Sequence, residues 1–226
     1  MKLKERIEDF YAEIHKEGIN DVTLSNAFKK LAPSFIYGGY IDVNGVYRIY
    51  IRTVEFYFHD ENGLVTDPIV YHRNGRLDDI KEVPNFPFIS LHAHASGFDI
   101  AFERGSFRAS ALIRKYVVMY KTGDTFQPLI RSKKLSGEDD RSTFLYDIIN
   151  GFSLEKECQK RIEWVDVNYS ETEDDLQKPT VRRNVFKFDK NPDYSYGQPD
   201  YIRRKPKEKD TREWSFSAAK QFNVSK

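Results

Sequence analysis

The chain has 226 residues, 39% hydrophobic and 31% charged, which is enough to bury one substantial core and short for two. Its single cysteine, Cys158, excludes an intramolecular disulfide framework and fits a reducing, cytoplasmic compartment. No stretch approaches ~18 consecutive apolar residues, and Met1-Lys2-Leu3-Lys4 leads into a charged amphipathic segment, so neither a membrane span nor a secretory leader is expected.

Leu3, Ile7, Phe10, Tyr11 and Ile14 recur at steps of three and four, which predicts a helix with one apolar stripe, stopped by Gly18. A second, shorter helix is predicted over Thr23–Ala32, capped by Thr23 or Ser25 and ended by Pro33. Beyond Pro33 the pattern becomes β-branched and aromatic, in keeping with 17 Phe and 14 Tyr in the chain. Asn44-Gly45 between Tyr40-Ile41-Asp42 and Val46–Ile51 is a strong hairpin signal.

The run Val46–Phe58 reads as one bent strand or two in succession, at the centre of a sheet. A turn at Asp60-Glu61-Asn62-Gly63 opens a polar, loop-like stretch as far as Pro87, and long loops inside a domain are often functional. Phe88–Phe102 and Ala109–Tyr120 read as strand regions, Ser142–Ile149 as a helix and Arg161–Val167 as a strand. Residues 180–226 carry 12 Lys/Arg against 6 Asp/Glu, so this C-terminal arm is the basic part of a chain whose formal charge is only +1. Such an arm is either a solvated end or a polyanion contact. Tyr194-Ser195-Tyr196-Gly197 and Trp214-Ser215-Phe216 offer anchors to dock it on the body. The expected organisation is a mixed α/β domain over residues 1–179 followed by a docked basic arm over 180–226.

Four of the five histidines, His59, His72, His92 and His94, fall within 36 residues that also hold Asp60 and Asp67 and are flanked by Glu55 and Asp99. On a strand, Glu55, Tyr57 and His59 project from one face while Val54, Phe56 and Phe58 project from the other. A carboxylate, a phenol and an imidazole on one face suit the wall of a polar pocket, and a plain solvent-facing sheet surface is the alternative. His92 and His94 share the same two-residue relation, compatible with Zn²⁺ or Fe²⁺ beside a carboxylate but common without metal. The chain has no Gly-Lys-Ser/Thr phosphate loop, Gly-x-Ser-x-Gly elbow, His-Glu-x-x-His helix or cysteine cluster, so neither a cofactor nor a metal is expected.

Val54-Glu55-Phe56-Tyr57, a loop reaching His72, the Gly97-Phe98-Asp99-Ile100 strand and Leu112-Ile113-Arg114 together resemble the alkyladenine (3-methyladenine) DNA glycosylase family. More closely, they resemble bacterial proteins sharing this core, in which an Asp-Pro…His loop and a Gly-Φ-Asp-Ile strand also appear. The similarity spans residues 46–118. It implies an α+β fold, a single domain with a central, mainly antiparallel curved sheet flanked by N-terminal helices. It further implies that Glu55 activates a water, that Arg114 lies beside the reacting nucleotide, and that Tyr57 and His72 wall the base pocket, with His94 a further substrate contact. The partner implied is a nucleic acid or a nucleobase-like ligand. Hydrolysis of an N-glycosidic bond suits these residue types, since a carboxylate can stabilise oxocarbenium-like charge and aromatic faces can hold an extruded base. In that family a tyrosine wedge replaces the flipped nucleotide. The corresponding place here is Ala95-Ser96-Gly97, which points away from intact duplex and toward single strands, free nucleosides or RNA. A non-catalytic relative that keeps the pocket as a binding site, or a His/carboxylate metal site, would place the same residues differently.

Overall fold

The computed structural model describes residues 2–60, 62–65, 67, 81–82, 90–94, 97–128, 162–182, 186–187, 208–209 and 211–220, the backbone alone at 81–82, 90–94, 97, 186–187 and 208–209. The fold is α+β. Helices α1 (Leu3–Glu17) and α2 (Asp21–Ile36) precede an antiparallel sheet. Its strands are β1 (Gly39–Val43), β2 (Tyr47–Asp60), β3 (Lys81–Glu82), β4 (Ser90–His94), β5 (Gly97–Ala101), β6 (Phe107–Thr122), β7 (Thr125–Pro128) and β8 (Ile162–Asp166), with β11 (Ser215–Ser217) near the C-terminus. The spatial order is β3-β4-β5-β6-β2-β1-β8, with β7 also on β6 and β11 also on β2, while β9 (Phe186–Lys187) and β10 (Glu208–Lys209) pair separately. The predicted helix over Ser142–Ile149 and all of residues 188–207 lie outside the described residues.

The α1 stripe is the one its spacing predicts: Leu3, Ile7, Phe10, Tyr11 and Ile14 are all buried. Gly18, at φ 85°, ends the helix in a backbone region that costs glycine little. Helix α2 is longer than the sequence suggests. Asn20, not Thr23 or Ser25, is the N-cap, its side chain accepting from the Val22 and Thr23 amides, and Pro33 lies inside the helix. Proline normally interrupts a helix. Here Phe28, Leu31, Ala32, Phe35 and Ile36 bury one continuous face across that point, and burial outweighs the lost hydrogen bond. Phe28 stacks flat on Phe56 of β2, with centroids 4.6 Å apart.

The Asn44-Gly45 turn has both residues at positive φ, 57° and 68°, as a tight hairpin turn demands. β2 is one strand rather than two, and it contains the principal irregularity of the sheet. Ile51 pairs with Tyr116, Thr53 with Lys115 and Val54 with Ile113, so the register skips Arg52 on β2 and then Arg114 on β6. Each skip inverts the alternation. That is how Ile49 and Ile51 share the core with Val54, Phe56 and Phe58, although their parity differs. The predicted strand region Phe88–Phe102 is a hairpin instead, β4 and β5, with His94 opposite Gly97.

One segment of the basic arm is built into this sheet. Ser215, Phe216 and Ser217 pair with Glu55, Val54 and Thr53, and Thr180 exchanges two backbone hydrogen bonds with Ser215. Trp214 and Phe216 are core residues at 0% and 1% exposure.

Candidate functional site

At Glu55 and Tyr57 the face of β2 opposite the helices is covered, not open to solvent. Glu55 is fully buried at 0% and Tyr57 nearly so. The alternation of β2 puts both side chains on this face, and the register places Leu112 opposite Glu55 and Ser110 opposite Tyr57. Asp99 on β5 stands opposite Leu112, so Asp99, Leu112 and Glu55 form a row across three strands. Asp99 and Ser110 are also buried.

Within that row the skipped residue of β6 supplies the cation. Arg114 Nε donates to Glu55 Oε2 at 2.7 Å, and the Tyr57 hydroxyl donates to the same oxygen at 3.0 Å. The Arg114 side chain retains 23% exposure against 1% for Glu55, so the cluster meets solvent along Arg114. Burial pulls the Arg114 pKa down, but the neighbouring Tyr57 and Glu55 more than offset it and the net direction is up. Arg114 is therefore a fixed cation. Burial, reinforced by the Glu55 charge, pushes the Tyr57 phenol well above its ordinary range, which keeps it a hydrogen-bond donor.

A second ion pair closes the cluster from behind. Arg182, at 0% exposure, pairs with Asp67, also at 0%, and donates from Nη1 to the Phe56 carbonyl at 3.2 Å. Its guanidinium carbon lies 4.6 Å from the Tyr57 ring centroid and 4.9 Å from that of Trp214. The Asp67 amide donates to His59 Nδ1 at 3.2 Å, which ties that segment to β2.

Glu55, Tyr57 and Arg114 thus meet in one network. His59 stands at its margin and holds a backbone amide. His72 lies outside the described residues, and of His94 only the backbone is described, at the end of β4. Sequence reasoning assigned no role to Arg182, which sits among charged residues that read as a solvated arm. It also gave none to Asp99 beyond its place in a motif. Nothing in the local pattern around residue 182 signals a buried cation, whereas Trp214-Ser215-Phe216 carries the mark of an anchor.

No group of three or more His, Cys, Asp or Glu side chains that could hold a metal ion occurs among the described residues. An open groove of about 660 Å³ between α1 and α2 is lined by Glu13, Lys16, Lys29, Lys30 and Glu173. It lies on the helix side of the sheet, and its charges pair within it, Lys30 with Glu13 at 2.7 Å and Lys29 with Glu173 at 3.9 Å. It takes no part in the cluster. No described helix is long and apolar enough to cross a membrane. No family model, no curated protein and no solved structure matches this chain.

Proposed function

We propose that the Glu55–Tyr57–Arg114 cluster is the site of an N-glycosidic hydrolase acting on a modified base, with a nucleobase-bearing ligand entering from the Arg114 side. The observation that carries this reading is the convergence on one carboxylate oxygen of a phenol and a guanidinium. All three residues were singled out by the glycosylase resemblance, and they are brought together from two strands.

In such a reaction the bond between the base nitrogen and the sugar C1′ breaks, its electron pair leaves with the base, and water attacks the electron-poor C1′ while giving up a proton to Glu55, from which it passes to the released base. The step needs a carboxylate held in a fixed direction to orient that water and stabilise the developing positive charge. Two donors fix Glu55, and the low-dielectric surroundings strengthen its field. Arg114, the member nearest solvent, suits a phosphate or sugar oxygen beside the reacting centre. Because Arg182 covers one face of the Tyr57 ring, a base would use the other face or the phenol edge.

The complete burial of Glu55 favours a second reading, in which the cluster recognises a ligand without turnover. One experiment separates the two. Single-stranded oligonucleotides and free nucleosides carrying alkylated or deaminated bases are incubated with the wild-type protein and with Glu55→Gln, and released base is quantified by chromatography. Base release by the wild type, lost in Glu55→Gln with the fold retained, supports hydrolysis. Ligand-induced thermal protection with no release on any substrate supports binding, and neither effect removes both readings.

A further inference from the structure

We propose that Arg182 is a positioning residue of this site, acting through Tyr57. The proposal deepens the reading above and rests on it only for its kinetic consequence. Arg182 comes from beyond the span of the glycosylase resemblance, and three kinds of contact among the described residues, to backbone, to rings and to a carboxylate, bear on its guanidinium.

The first contact is with the backbone. β11 pairs β2 as far as Glu55, and the Phe56 amide then donates to the Trp214 carbonyl at 2.9 Å. Beyond that point the strand partner gives out. The Phe56 carbonyl, between the two site residues Glu55 and Tyr57, is taken by Arg182 Nη1. A side chain thereby closes the edge of the strand where the backbone no longer does, which satisfies a buried acceptor and fixes the direction of the chain.

The second contact is with the ring. The guanidinium lies between Tyr57 and Trp214, at 4.6 Å and 4.9 Å from their centroids. Trp214 is itself held by its Nε1 donating to Ser25 Oγ at 2.9 Å and by packing edge-on to Phe28. Tyr57 thus neighbours a cation that also lies over an anchored indole. Its hydroxyl direction toward Glu55 Oε2 follows from that ring plane.

The third contact is the ion pair with Asp67, five residues before His72 in the chain. One side chain therefore fixes the phenol and the start of the segment that leads to the predicted pocket histidine. Lysine cannot reproduce this, because a point charge on a flexible stem cannot lie over two rings while serving a carbonyl and a carboxylate.

The test is the exchange rate of the Tyr57 hydroxyl proton, read from the deuterium isotope shift on the ring Cζ in the full-length protein labelled at tyrosine. Arg182→Lys is the primary variant. Asp67→Asn, which keeps the shape and loosens the pair, serves should the first fail to fold. The expected result is hydroxyl exchange faster by about fivefold or more, the scale of losing one hydrogen bond, while amide protection in α2 is unchanged. Wild-type exchange in a folded variant, even one with a lower melting temperature, would overturn the proposal, because Arg182 would then serve the fold alone. With a base-releasing wild type, Arg182→Lys is expected to lower kcat more than it changes KM. If the wild type releases no base, the hydrolase reading fails and the hydroxyl measurement still decides the role of Arg182.

Discussion

Arg114 donates to Glu55 at 2.7 Å from the one position of β6 that the pairing with β2 passes over between Lys115 and Ile113. A bulged residue escapes the ladder, and its side chain can be aimed where regular pleating would not send it. The irregularity of the sheet and the candidate site are therefore the same feature.

Because the pair is nearly enclosed, its members depend on each other. Removing one partner of a buried ion pair costs about 3–5 kcal/mol, and the partial exposure of Arg114 places Glu55→Ala at the low end, about 3 kcal/mol in urea unfolding. Arg114→Met, which strands the fully buried Glu55 carboxylate, is expected to cost more, and the double variant less than the sum, with a coupling of roughly 1–3 kcal/mol. Additivity within about 0.5 kcal/mol would mean that the contact has no energetic content.

The skip on β2 lets Ile51 and Val54 face the core although two residues separate them. Deleting Arg52 leaves one residue between them, and regular alternation then keeps Ile49, Ile51, Val54, Phe56 and Phe58 on one face. The expected outcome is a deletion variant that still melts cooperatively by circular dichroism, whereas deleting Tyr50, which reverses Ile49 against Ile51, removes the cooperative transition. Loss of cooperativity for the Arg52 deletion alone would contradict this account of the bulge.

The C-terminal strand should behave as core. Trp214 is fully buried against Phe28 and Arg182, and its replacement by alanine is expected to cost about 3–5 kcal/mol. Denaturant titration followed by tyrosine fluorescence measures it. A loss below about 1 kcal/mol would show that the arm is dispensable to the folded body.

Tyr57 and Tyr11 define the alkaline limit of the fold. Burial pushes both phenols far above the ordinary value of about 10. Tyr57 donates to Glu55, and Tyr11 donates to the Phe102 carbonyl. A group whose folded pKa is raised contributes stability that is fully present below its unfolded pKa. That contribution falls as pH climbs above it, since the unfolded chain releases the proton first. Stability should therefore be flat for these groups below about pH 9 and decline above about pH 10. In the absorbance titration near 295 nm, two tyrosines should ionise only together with unfolding. Full ionisation of every tyrosine in the native protein would refute the arrangement.

Local pattern by itself determined a good deal here. The α1 stripe, the Asn44-Gly45 hairpin and the opposition of Glu55 and Tyr57 to Phe56 and Phe58 follow from helical spacing, turn chemistry and strand alternation, which neighbouring residues carry among themselves. The α+β class follows from the same patterns. Tertiary structure decided the rest. The continuation of α2 through Pro33 depends on burial against Phe56, which no local preference encodes. The joining of Arg114 to Glu55 needs two register skips 62 residues apart in the chain, and periodicity within one strand does not reveal how its partner slides. Arg182 reaches Tyr57, and Trp214 reaches Arg182, only because β11 returns more than 150 residues later to close the edge of β2. In sequence they are basic-arm residues, and the buried ladder edge that needs them exists only once the sheet has formed.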